Sequence, residues 1–233
     1  MRFPAPHSAP AQPEPLDPVE RYVPLIFKLG VYATLAVILV QALEVFTEFK
    51  PGVPWPKLLW LIRMFTFLPL HEGGHLLFIL FGRTLYILGG SFWQIMFPAL
   101  WFIIAFRQGS QVFPFPLFWT GENMMDVSLY VRDAPHRLLP LLGGDKSGHD
   151  WYNLLSQWDA LDAAEGIADA LYSAGVLICV TALAIGVTWA VRVFLRSGRM
   201  AAEPFGVPSG STTVDDQAFR PAPDTKDHDR LPE

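Results

Sequence analysis

Cysteine is almost missing from this chain. Cys179 is the single thiol and lies in an apolar run, so disulfides within one chain and cysteine-held metals are both excluded. Any metal has to be met by His, Asp, Glu or water. Charge is scarce too: 17% of residues are Asp, Glu, Lys or Arg, and the net charge of -5 is carried largely by the ends and one polar stretch. That balance argues against nucleic acid as a partner and offers no basic patch for anionic lipid headgroups. Nor does the amino end carry the basic, apolar and small-residue order of a cleaved signal. It opens instead with FPAPHSAPAQPEPLDP, so residues 1–20 read as an extended, disordered proline-rich arm and the first apolar segment as a retained anchor. No internal repeat is evident, which sets aside the repeated halves expected of a transporter.

What the chain has in excess is apolar surface. Hydrophobic residues make up 52% and aromatics 14%, and the mean hydropathy is +0.30, too apolar for an ordinary soluble domain of this size. A helix crossing the hydrocarbon core needs roughly 20 mostly apolar residues. Five stretches are candidates: Tyr22 to Phe46, Leu58 to Phe81, Leu85 to Phe106, Phe113 to Val131 and Ile167 to Leu195. The fourth is the least apolar, since Glu122, Asn123 and Asp126 lie within it and recur with Tyr130 and Asp133 at helical spacing. The prolines of KPGVPWPK at residues 50–57 separate the first two segments, and Pro69 predicts a kink or restart inside the second.

The fold class expected is therefore all-α, a polytopic transmembrane bundle of four to five spans over residues 21–200, with a disordered polar tail at 201–233. Between the spans, residues 132–165 are the most polar part of the middle of the chain. There LPLLGGDKSGHDWYNLLSQW reads as a glycine loop feeding a short amphipathic helix that Asp150 could cap. Five spans place the two ends on opposite faces, and Arg192, Arg196 and Arg199 favour a cytoplasmic carboxyl end. The expected location is the cytoplasmic membrane of a bacterium, crossed several times. Trp93, Trp101, Trp119 and Trp151 read as markers of membrane interfaces and helix packing.

Inside the second segment, residues 71–75 are His-Glu-Gly-Gly-His. Histidines four apart project from one side of a helix, so both imidazoles can reach one ion, with Glu72 beside them as a base. Ionisable groups at membrane depth cost about 2.5–3.5 kcal/mol each on insertion scales, and three within five residues are hard to retain without a compensating ion. Zinc is the ion that His and carboxylate donors suit, and it lowers the pKa of water it binds to about 7. A catalytic zinc takes three protein ligands, so a third donor is needed beyond His71 and His75. Asp150, His149, Asp126 and Asp133 are the candidates. As ordinary residues they would be a helix cap, a solvated loop residue, an interhelical hydrogen bonder and a second solvated loop residue. Glu122 and Asn123 read as hydrogen-bonding groups between helices.

With HEGGH in a membrane helix, a glycine pair at Gly89 and Gly90, and a later Asp opening a helix behind the proline-bearing LLPLLGGDKSGHDW, the chain resembles the zinc-dependent intramembrane proteases of the site-2 type. The resemblance covers mainly residues 58–155. It implies that His71, His75 and a distant aspartate, for which Asp150 is the match, hold Zn2+ and that Glu72 is the catalytic base. It also implies hydrolysis of peptide bonds in membrane-associated protein or peptide substrates within the lipid bilayer. The family's Asn-Pro and Leu-Asp-Gly signature does not occur in that order here; Gly143-Gly144-Asp145 precedes His149-Asp150 instead. The alternative is a non-proteolytic zinc-binding membrane protein with a structural or regulatory role, in which four protein ligands would close around the ion.

Overall fold

A computed structural model describes residues 17–47, 55–141 and 144–202, and among these every regular element is helical. Most of the proline-rich arm, residues 48–54, Leu142, Gly143 and the polar tail from 203 onward lie outside the described residues, as do the side chains of Thr47 and of 198–202. The helices are α1 (Pro18–Thr47), α2 (Lys57–Ile62), α3 (Leu68–Phe78), α4 (Arg83–Arg107), α5 (Pro114–Arg132), α6 (Asp150–Gln157) and α7 (Ala164–Ala202). Four stretches are long and apolar enough to cross a membrane: Pro18–Phe46, Lys57–Phe81, Arg83–Arg107 and Leu161–Ser197.

The fifth expected segment is the helix α5, and it stands apart from those four. Twelve of its 19 residues are buried, Thr120, Glu122, Asn123 and Ser128 among them. It is wrapped by its neighbours, packing most extensively on α7 and also on α4 and α1. Two of these polar side chains bond back to their own helix, Thr120 Oγ1 donating to Pro116 O at 2.8 Å and Asn123 Nδ2 to Trp119 O at 2.7 Å, so the Asn123 amide makes an intrahelical bond in place of the expected interhelical one. Two glycines let the α5 and α7 backbones approach. A Cβ on Gly121 would lie 2.6 Å from Gly175 O, and one on Gly175 would lie 2.7 Å from Gly121 O.

The second span is continuous, and of the kink or restart expected at Pro69 the restart does not occur. Proline has no N–H to return to the carbonyl four residues earlier, and the helix accommodates this by widening into a π turn over Arg63–Phe67 before α3 resumes with Pro69 in its first turn. After a short 3-10 turn, Gly82 at φ 88° reverses the chain into α4. The α3–α4 hairpin that results is tight. A Cβ on Gly74 would lie 2.2 Å from Gly89 O, and one on Gly89 would lie 2.7 Å from Phe78 Cβ.

Two apolar clusters fix the rest. One joins Leu35, Ile38, Leu39 and Ala42 of α1 to Phe118 of α5 and Cys179 of α7. The other seats the short α6 through Trp151, Leu154 and Leu155 against Ile87, Val127 and Val131. Trp151 is buried here, and its Nε1 donates to Ser91 Oγ of α4 at 3.0 Å, so it serves helix packing by docking α6 on the bundle.

Candidate metal centre

His71 and His75 lie one turn apart on α3, on the side that packs against α4, and both are buried. Asp150 is the first residue of α6, and docking of α6 brings its carboxylate to them. Asp150 Oδ2 lies 3.0 Å from His71 Nε2 and 3.3 Å from His75 Nε2. One donor atom from each of the three residues falls within 4.8 Å of the others, a group able to hold a metal ion.

Three observations bear on whether the site fits zinc. Donors bound at about 2.0–2.1 Å in a tetrahedron stand about 3.4 Å apart, close to the two separations found to Asp150. Two imidazoles and a carboxylate are a common donor set for this ion. Finally, Gly90 leaves the space beside the donors open: a Cβ there would lie 2.6 Å from His75 Nε2 and 2.8 Å from His71 Nε2. The glycine pair of α4 therefore divides its work, Gly89 admitting the side chain of Phe78 and Gly90 admitting the two imidazoles.

Both rings are held at their far nitrogens. His75 Nδ1 lies 2.8 Å from the Tyr86 carbonyl, and His71 Nδ1 lies 3.1 Å from Gln94 Oε1. Neutral imidazoles donating through Nδ1 have their lone pairs on Nε2, toward the site. Glu72 is half-buried on the same helix and within electrostatic reach of His75 and Tyr130.

The remaining third-ligand candidates are elsewhere. His149, expected in a solvated loop, is fully buried and caps α6: its Nδ1 accepts the Tyr152 N–H at 3.2 Å. The capping role expected of Asp150 thus falls to its neighbour, which frees the Asp150 carboxylate for the histidines. His149 Nε2 sits 3.3 Å from Asp133 Oδ2, an ion-pair separation off the line of a well-formed hydrogen bond. Asp133 is likewise buried instead of solvated, and its two oxygens accept the Leu138 and Leu139 N–H groups at 2.8 Å each. Burial raises its carboxyl, but His149 and these two N–H donors hold it below its ordinary range. Asp126 bonds between helices, accepting from Arg63 Nε at 2.7 Å and Gln94 Nε2 at 2.9 Å.

Sequence reasoning passes over Gln94, Tyr86 and Ser91, and leaves Tyr130 without a role. Tyr130 stacks on His149 at 4.3 Å between ring centres, and its hydroxyl accepts the Asp150 N–H at 3.1 Å, so it fixes the start of α6 from α5. An amide, a carbonyl and a hydroxyl scattered over two helices make no local pattern. The available signal is Gln94 itself, an amide near the middle of a mostly apolar span. Compared with protein-family models, with curated proteins and with solved structures, the chain matches none.

Proposed function

We propose that the chain is a zinc-dependent intramembrane metalloprotease-like protein that hydrolyses peptide bonds of membrane-associated substrates, in the cytoplasmic membrane of a bacterium. The observation that carries this reading is the meeting of His71 and His75, beside Glu72 on a span apolar enough to cross a bilayer, with Asp150 of the short helix α6. His71, His75 and Asp150 would hold the ion. When bound, zinc supplies Lewis-acid activation of a carbonyl and of water. Glu72 takes a proton from the attacking water as the new C–O bond forms, and returns it to the amine nitrogen as the C–N bond breaks. Gly90, having no Cβ, lets α4 lie against the Nε2 atoms of both imidazoles.

The count of donors favours catalysis over a structural ion. Three protein ligands gather among the described residues, leaving one place in a tetrahedral shell, whereas a structural site closes with four. His149, the nearest alternative in sequence, is committed to the α6 cap and to Asp133. The test is to purify the wild type and Glu72→Gln, measure zinc by elemental analysis, and follow cleavage of membrane-embedded peptides. Glu72→Gln is expected to keep its zinc and lose cleavage. Cleavage that survives in this variant, or a wild type that cleaves nothing while holding four protein ligands around its zinc, defeats the protease reading.

A further inference from the structure

The two histidines are held in different ways. His75 Nδ1 meets a main-chain carbonyl, an acceptor that no side-chain substitution alters. His71 Nδ1 meets Gln94, whose terminal amide can turn either way, so something else must decide which end faces the ring. That something lies on two other helical segments. Asp126 of α5 faces Gln94 with Oδ2 and Arg63 with Oδ1, and Arg63 opens the π turn ahead of the histidine motif.

We infer that Arg63, Asp126 and Gln94 form a directional hydrogen-bond relay that fixes the tautomer of His71, and that Gln94 and Asp126 are positioning residues for the metal. This rests on the zinc reading of the site above. A guanidinium has donors only and keeps its proton, so the Asp126 carboxylate accepts from it. With one oxygen so engaged, the other accepts from Gln94, which has to present its NH2 group. The carbonyl end of Gln94 then points at His71, and an acceptor there requires a hydrogen on Nδ1. A neutral ring with that hydrogen carries its lone pair on Nε2, the atom 3.0 Å from Asp150. Each polarity in the chain follows from the one before it, beginning with a group that cannot reverse.

The relay has a consequence that depends on direction alone. Asp126→Asn, with the shape unchanged, lets the new amide give its NH2 to Gln94 and its oxygen to Arg63. Gln94 then turns its own NH2 toward His71, which puts the ring's lone pair on Nδ1 and its hydrogen on the metal-facing Nε2. Gln94→Glu sets two carboxylates against each other at the 2.9 Å contact. Made together, the two changes restore the direction of the bonds at both ends. The carboxylate introduced at position 94 accepts from His71 and from the amide introduced at position 126, and the oxygen of that amide accepts from Arg63.

The experiment measures zinc affinity by competition with a chromophoric chelator, for the wild type, His75→Ala, the two single variants and Gln94→Glu/Asp126→Asn. Thermal unfolding of each metal-free protein in the same detergent accompanies it, with the visible spectrum of the cobalt-substituted forms. Each single variant is expected to lose about 10- to 100-fold in affinity, the scale of outer-shell changes at metal sites. The double variant is expected to return near the wild-type affinity and cobalt spectrum. A merely structural pair gives losses that follow the metal-free unfolding temperatures, and that result overturns the relay. So do single variants that bind as the wild type does, or a double variant as weak as its two singles combined. If instead the wild type takes up no zinc, or His75→Ala binds it equally well, the zinc reading itself fails and the relay falls with it.

Discussion

Along α1, Val19, Val23, Ile26, Phe27, Val37 and Val40 face outward, and a Cβ added to Gly30 would meet no atom within 4 Å. On the α3–α4 hairpin the same added carbon would collide at Gly74, at Gly89 and at Gly90. The outer helix is specified by its apolar composition and by one inward stripe, Leu35, Ile38, Leu39 and Ala42, so many sequences would serve. The hairpin is specified by single atoms, because three donors must meet within a few ångströms of one another. Even within the His-Glu-Gly-Gly-His motif the two rules lie side by side: Gly73 has open space where a Cβ would stand, and Gly74 has a backbone carbonyl 2.2 Å away.

Neighbouring glycines therefore give the largest expected contrast. Gly74→Ala forces two backbones apart and is expected to lose stability at the upper end of about 1–3 kcal/mol or beyond. Gly73→Ala is expected to be neutral or to gain up to about 1 kcal/mol from helix propensity. Unfolding of both in detergent checks this, and equal losses would erase the distinction. Next comes Asp133→Asn, which keeps one acceptor for the Leu138 and Leu139 N–H groups, sets an NH2 group against the other and removes the charge facing His149, at about 1–3 kcal/mol near neutral pH. The wild-type carboxyl is held below its ordinary range, so its stabilising contribution is present above the unfolded value of about 3.9 and is lost as pH falls through the folded value. The gap between wild type and variant should narrow on acidification, and a gap independent of pH contradicts the argument.

Gly90→Ala probes the site without removing a ligand. Its new methyl falls 2.6 Å from His75 Nε2, and zinc affinity is expected to drop by about tenfold or more. Gly30→Ala on α1 is expected to leave that affinity unchanged, and a chelator competition run on the two variants decides the matter. The smallest effect is expected at Ile26, 65% exposed on the outer face. Ile26→Val there should change stability by less than about 0.5 kcal/mol.

The same division explains what the sequence discloses. The four apolar spans are legible because composition alone specifies a lipid-facing helix, and the fifth is ambiguous because α5 is enclosed by protein and free to carry Glu122, Asn123 and Ser128. His71 and His75 are legible as a pair because helical periodicity places them together. Asp150 can be named only among four candidates, since its place depends on how α6 docks through Trp151, Leu154 and Leu155, a tertiary fact that no local spacing encodes. The exchange of the cap from Asp150 to His149 has the same origin: Asp is the ordinary cap residue, and burial of His149 against Tyr130 and Asp133 puts its Nδ1 there instead. Pro69 signals a disturbance of the second span, but a widened π turn and a restart share one local signature.

Metal content tests the central claim most directly. Wild type purified with zinc supplied, and then freed of loosely bound ions, should carry one zinc per chain, and His75→Ala and Asp150→Ala prepared alongside should carry almost none. A folded wild type without zinc, or variants that retain the ion in full, would contradict it.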